Sequence, residues 1–214
     1  MTISSLKSIS RVGYMNYDKT PPIPDVWMRL TRSEDVLGNT IGNYDGITDT
    51  NSFGDNWMSS NNTVTIQNIG GRDCAYLTEN GYIKFPSGIL SKFCVTCYVY
   101  IDSNTTDYSR LLKLSGENGR QGSADITINR GIVTGNNVVY DDTLSTWVHL
   151  KINFDVNVGN TQKQVFINDV EKETYTISNP SLNTANFVIG QQDSTRLKSK
   201  FYMYDFKLYR DIHL

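Results

Sequence analysis

Trp147-Val148-His149-Leu150-Lys151-Ile152-Asn153-Phe154-Asp155 is the stretch on which the fold turns. Val148, Leu150, Ile152 and Phe154 alternate with polar neighbours, the period-two pattern of a half-buried strand. Downstream, Gln164-Val165-Phe166-Ile167-Asn168-Asp169-Val170 reads as a second strand running into Asn-Asp, a pair suited to a tight turn with positive φ. Phe201 to Tyr209 closes the chain as a long aromatic strand. Working back from there, short alternating runs separated by Gly, Asn, Asp and Ser fall at 26–30, 63–68, 74–78, 81–85, 92–101, 110–114, 124–129, 138–140, 173–177 and 185–189. No segment sustains an i, i+3, i+4 pattern, so helix is expected to be minor. Many short strands with regular turn signals predict an all-β, two-sheet antiparallel sandwich. Residues 31–62 are poorly patterned and are expected to form a surface loop with isolated bridges.

These segments resemble the end of a laminin-G-like domain of the concanavalin A-like superfamily. The family's Trp-x-His, Tyr-Ile-Asn-Gly and Asp-x-Arg-Ile-Tyr are met here by Trp147-Val148-His149, Phe166-Ile167-Asn168-Asp169 and Asp205-Phe206-Lys207-Leu208-Tyr209. Phe93-Cys94-Val95-Thr96-Cys97-Tyr98-Val99-Tyr100 looks like the family's Phe-Thr-Ile-Ser-Ala-Trp-Val-Tyr strand, and Tyr82-Ile83-Lys84-Phe85-Pro86 sits where Tyr-Ile-x-Ile-Pro is found. The resemblance implies a concanavalin A-like jelly roll over residues 25–214. It implies no particular activity, because one fold hosts many unrelated sites.

The 214 residues suit one such sandwich, and a 38% hydrophobic content supplies a packed core. Net charge is −2 with lysines and arginines scattered, so a basic nucleic-acid face is not expected. No apolar run approaches the roughly 20 residues that span a bilayer, and Met1 to Ser10 lack the apolar core of a secretory signal. Three cysteines argue against a disulfide framework. Cys94 and Cys97 mimic a Cys-x-x-Cys pair, but residues three apart on a strand point to opposite faces and cannot share a ligand. Both, like Cys74, are expected to be structural.

Residues 1–24 read as an arm followed by a stiff spacer, Pro21-Pro22-Ile23-Pro24. Val12, Tyr14, Met15 and Tyr17 give the arm something to dock.

Catalytic signatures are missing. Glycosidases of the resembled superfamily carry Glu-x-Asp-x-x-Glu on one strand, and this chain has none. Glu171-Lys172-Glu173 would put two acids on one strand face, as a solvated hairpin edge, without a third partner. His149 stands opposite the apolar set in a position that is structural in the resembled family, and no Gly-x-Ser-x-Gly elbow accompanies it. An enzyme is therefore not expected. No cofactor is expected either. Calcium is the one metal the acidic loops Asn43–Asp49, Asp102–Asp107 and Asp141-Asp142 could take. Where many relatives have two aspartates before the last strand, however, this chain has Tyr204-Asp205, one ligand short.

Sugar sites pair an aromatic ring, stacked on the C–H face, with amide and carboxylate hydrogen-bonding groups. Loop residues answering that description are Tyr44, Trp57, Tyr108 and Tyr140, the last beside Asn136, Asn137, Asp141 and Asp142. The same aromatics could cap the sandwich or build an oligomer interface. The expected protein is a non-catalytic recognition or assembly module, namely a phage virion component made in the host cytoplasm. Its arm would dock on other virion proteins, with host-surface glycans as possible ligands and a homo-oligomer compatible. The alternative is a lectin-like carbohydrate-binding module of a bacterial protein, at the cell surface or outside it.

Overall fold

The computed structural model describes residues 21–31, 43–44, 47–48, 50–51, 58–59, 64–79, 81–86, 90–102, 109–113, 126–128, 131–133, 139–140, 143–157, 160–178, 186–190 and 199–214. Its strands are β1 Val26–Met28, β2 Asn43–Tyr44, β3 Ile47–Thr48, β4 Thr50–Asn51, β5 Met58–Ser59, β6 Val64–Ile69, β7 Arg72–Glu79, β8 Tyr82–Pro86 and β9 Lys92–Tyr100. They continue as β10 Ser109–Lys113, β11 Ile126–Ile128, β12 Ile132–Val133, β13 Val139–Tyr140, β14 Trp147–Asn157, β15 Asn160–Ile167, β16 Val170–Ser178, β17 Asn186–Gly190 and β18 Ser199–Arg210.

Two large antiparallel sheets result, with β2 and β3 paired as a separate two-stranded one. The nine-stranded sheet runs β16-β15-β14-β9-β18-β1-β4, with β7 also on β18 and β6 on β7. The seven-stranded sheet runs β13-β12-β11-β10-β17-β8-β5. No helix occurs among the described residues. Each strand expected from alternation is present, within a few residues.

The core lies between the sheets. Val148, Leu150, Ile152 and Phe154 of β14 point into it, as do Phe93, Val95, Cys97 and Val99 of β9. Phe93 stacks on Phe154 at 4.5 Å, and Phe187 of the smaller sheet meets Phe206 of the larger at 5.6 Å. Rings of that size bury enough area that truncating Phe93 to Ala would cost roughly 3–5 kcal/mol.

Strand β18 is the hub. Its partner on one edge is β9, while the other edge is divided between β7, against Ser199–Met203, and β1, against Phe206–Leu208. The division falls at a bulge where Asp205 adopts φ 51° and its N–H donates to the Arg29 carbonyl at 2.9 Å. The bulge inserts one residue, so Met203 and Phe206 both face the core.

Structure and sequence reading differ in three places. Part of the stretch 31–62 is not isolated bridges: β4 and β5 are short ladders that extend the two sheets from β1 and β8. Strand β15 begins earlier than its pattern, because Thr161 and Lys163 turn inward and break the alternation. Glu171 and Glu173 do not share a face. A register shift opposite Val165 and Phe166 pairs Glu173 with inward Val165 and Glu171 with outward Phe166, so the bulge splits the two acids. The docking residues Val12, Tyr14, Met15 and Tyr17 lie outside the described residues.

Candidate functional site

Alternation that sends apolar residues into the core sends their neighbours to the opposite face of the larger sheet. There the sequence supplies aromatic rings: Tyr76 from β7, Tyr98 and Tyr100 from β9, Trp147 and His149 from β14, Tyr202 and Tyr204 from β18. Register brings them together, because Tyr100 opposes both Trp147 and Tyr202, Tyr98 opposes both His149 and Tyr204, and Tyr76 opposes Tyr202.

The result is a continuous strip. Tyr76 stacks on Tyr202 at 4.5 Å, and Tyr202 meets Tyr100 edge-on at 5.8 Å. Tyr100 leans on Trp147 at 5.6 Å, and Trp147 meets Tyr204 edge-on at 4.9 Å. Tyr204 stacks on Tyr98 at 4.6 Å, and Tyr98 on His149 at 4.9 Å. The Arg72 guanidinium sits 4.3 Å over the Tyr204 ring. Tyr204 is buried, and the other rings of the strip are half-buried. Burial pushes the Tyr204 phenol up to about 12, against the pull of Arg72, and raises Tyr202 as well. No described hydrogen bond engages the hydroxyls of Tyr76, Tyr98, Tyr100, Tyr202 or Tyr204. The indole N–H of Trp147 is buried without a hydrogen-bond partner.

The strip is braced at His149 and beside Tyr204. His149 Nδ1 lies 3.3 Å from Asp169, while Asn168 Oδ1 accepts from the His149 N–H at 2.9 Å. Trp27 of β1 donates its indole N–H to Asp205 Oδ1 at 2.8 Å, and Lys207 reaches Asp205 Oδ2 at 2.7 Å. Both oxygens of the aspartate that stands in the resembled family's calcium position are thus engaged. Among the described residues no three His, Cys, Asp or Glu side chains converge as a metal group would require.

Beyond Lys151, on the same sheet face, a groove of about 160 Å³ is lined by Asn153, Asp155, Gln162, Gln164, Thr174 and His213. Cys94 faces this side and Cys97 the core, each buried, so the two thiols point apart as their spacing requires.

Of the loop residues nominated for sugar binding, Tyr44 lies in the two-residue strand β2, paired with β3, and not in a loop, and Tyr140 is also described. It lies in edge strand β13 of the smaller sheet, half-buried against the core with Lys172 Nζ 6.0 Å from its ring, and is not part of the strip. Trp57, Tyr108, Asn136, Asn137, Asp141 and Asp142 lie outside the described residues. The strip escapes a reading that seeks stacking rings in loops, since its signal is aromatic residues at the non-core positions of four adjacent strands.

No protein-family model matches the chain, and no curated protein matches it. Solved structures do. The receptor-binding domain of botulinum neurotoxin type G is similar with a TM-score of 0.54 and 15% identity, over 89% of this chain and 48% of that one. Alginate lyase Aly36B is similar at 0.51 and 12%, over 90% and 100%. Domain 4 of AbnA, an extracellular arabinanase of Geobacillus stearothermophilus solved with arabinotriose, is similar at 0.50 and 17%, over 87% and 92%. The chain spans about half the length of the neurotoxin domain. At these identities the likeness is one of fold, an antiparallel β-sandwich. The laminin-G resemblance narrows to that architecture.

Proposed function

We propose that this protein is a non-catalytic glycan-recognition module that binds its ligand on the aromatic face of the larger sheet. The observation that carries the reading is the ring strip running from Tyr76 to His149, half-buried and with phenolic hydroxyls that no described hydrogen bond engages. Because Tyr98 is sandwiched between His149 and Tyr204, the strip meets a ligand mainly with ring edges and phenolic hydroxyls, which are held at low cost in side-chain entropy and can bond a polyol. Support also comes from the company the fold keeps, since one similar domain was solved with arabinotriose and another is named as an alginate lyase. No likeness points to a virion, so recognition is preferred over assembly through the amino-terminal residues.

A glycan array followed by calorimetry on the best ligand tests this. Saturable binding is expected, with Tyr98→Phe weakening it by roughly 2- to 12-fold, the equivalent of about 0.5–1.5 kcal/mol for one hydrogen bond. Tyr98→Ala should weaken it at least as much. Absence of binding by a well-folded sample would refute the reading, and turnover of the ligand would make the protein an enzyme.

A further inference from the structure

The groove beyond Lys151 has a composition of its own. It is walled by two glutamines, an asparagine, an aspartate, a threonine and a histidine, with no apolar side chain among them. Part of this wall is locked. Asn153 donates to Gln164 Oε1 at 3.2 Å and to the Leu214 carbonyl at 3.1 Å, and its own oxygen accepts from the Leu214 N–H at 3.2 Å. Gln164 in turn donates to Glu171 Oε2 at 3.0 Å, and Thr174 donates to Glu171 Oε1 at 2.8 Å. His213 is held by its Nε2 against the Phe154 carbonyl at 3.0 Å.

Other groups are left over. No described hydrogen bond engages the Gln162 amide, and among the described residues Asp155 accepts from Asn157 alone, at 3.3 Å. The wall therefore combines fixed groups with open donors and acceptors, the arrangement that lowers the ordering cost of binding a polyhydroxylated ligand. Its volume is below the roughly 300–1,000 Å³ of a drug-sized pocket and suits a single sugar ring.

Place matters as much as chemistry. Across β14 and β9 the rungs run Trp147/Tyr100, His149/Tyr98, Lys151/Thr96, Asn153/Cys94 and Asp155/Lys92. One rung separates the last ring of the strip from the first residue of the groove. His149 and Asn153 are therefore about 13 Å apart along the strand, on the same face. Lys151 does not stand upright between them, because its ammonium lies 4.3 Å over the Phe166 ring.

We infer that the groove is a second subsite for the ligand proposed above, so that the protein takes an extended neutral oligosaccharide along β14. Sugar units at one end lie across the ring edges and hydroxyls of the strip, and a unit at the other end is held by Gln162, Asp155 and Thr174. Neutrality follows from the charges facing the groove. Asp155 and Glu171 are acidic, Lys92 lies beside Asp155, and Lys151 lies over Phe166, the partner of Glu171, so the charges balance and a uronate carboxylate gains no net attraction. This inference rests on the glycan-recognition reading and sharpens it.

The test uses the whole chain and calorimetry with neutral di- and hexasaccharides of the class that the array identifies, with an oligoalginate as the anionic control. The hexasaccharide is expected to bind at least ten-fold more tightly than the disaccharide. Gln162→Ala and Thr174→Val should each remove roughly 2- to 12-fold of hexasaccharide affinity and leave the disaccharide unchanged, as loss of one hydrogen bond predicts. Both positions are exposed, and an unchanged melting temperature checks the fold. If the hexasaccharide binds and both variants match the parent, the second subsite is refuted while recognition by the strip stands. Tighter binding of oligoalginate than of the neutral hexasaccharide would refute the neutral class. If no glycan binds, both readings fail together.

Discussion

Trp147 occupies the middle of the ring strip with its indole N–H buried and unpartnered. An unmet donor subtracts from the stability that its ring contributes, by about 1–3 kcal/mol. Trp147→Phe removes the donor and keeps an aromatic ring, whereas Trp147→Ala removes both. In urea denaturation the Phe variant is expected to lie within about 1 kcal/mol of the parent, and the Ala variant roughly 3–5 kcal/mol below it. Equal losses would show that the indole nitrogen is satisfied. At this scale the sequence was half legible. Tyr98, Tyr100, Trp147 and His149 stand at positions that alternation assigns to the non-core face, and that much could be read. Their contacts with Tyr202 and Tyr204 could not, because which strands neighbour one another is not written in any one of them. Asn153 and Gln162 carried no signal, since polar residues are what an outward position ordinarily holds.

At the scale of elements, tight turns were legible and bulges were not. Asn168 and Asp169 adopt φ 50° and 63°, the conformation expected of a two-residue hairpin loop. Asp205 is a subtler case. Nothing local marks it as left-handed, yet it sits at φ 51° and closes the junction between β7, β1 and β18 through Trp27 and Lys207. Asp205→Ala loses a charge-assisted hydrogen bond and places a residue without a side-chain acceptor in that conformation. It should cost about 2–3 kcal/mol, and Asp205→Asn clearly less, since Asn tolerates positive φ and still accepts from Trp27. Denaturation midpoints decide it, and an Asn variant as weak as Ala would mean that charge alone matters there. The split of Glu171 from Glu173 has the same origin, for a one-residue register shift reverses facing without leaving a mark on composition.

At the scale of the molecule, the number and kind of strands followed from pattern, whereas their order in the sheets came only with the coordinates. One consequence of the two-sheet core is chemical. Burial pushes the Cys74 and Cys94 thiols up to about 11, and raises Cys97 by the same cause. At pH 8 the folded protein is therefore expected to react negligibly with a disulfide exchange reagent, and the denatured chain to give all three thiols. The pH dependence of stability has a definite sign. Unfolded thiols ionise near 8.5 and unfolded phenols near 10, while their folded counterparts hold the proton longer. Stability is thus intact below about pH 8 and falls as the pH climbs toward 11, because only the unfolded state releases protons there. A melting temperature flat from pH 8 to 11 would contradict the buried placement of these groups.

The strand that holds the larger sheet together also follows every other described strand in the sequence. Without β18, β9 lacks one neighbour, and β7 and β1 have no link to the sheet's centre. A chain that lacks β18 therefore carries several apolar strands with open edges. The larger sheet cannot close before this strand is in place. Truncation shortly before residue 199 is expected to give an aggregation-prone chain, not a smaller sandwich, which a solubility assay of the truncated protein checks.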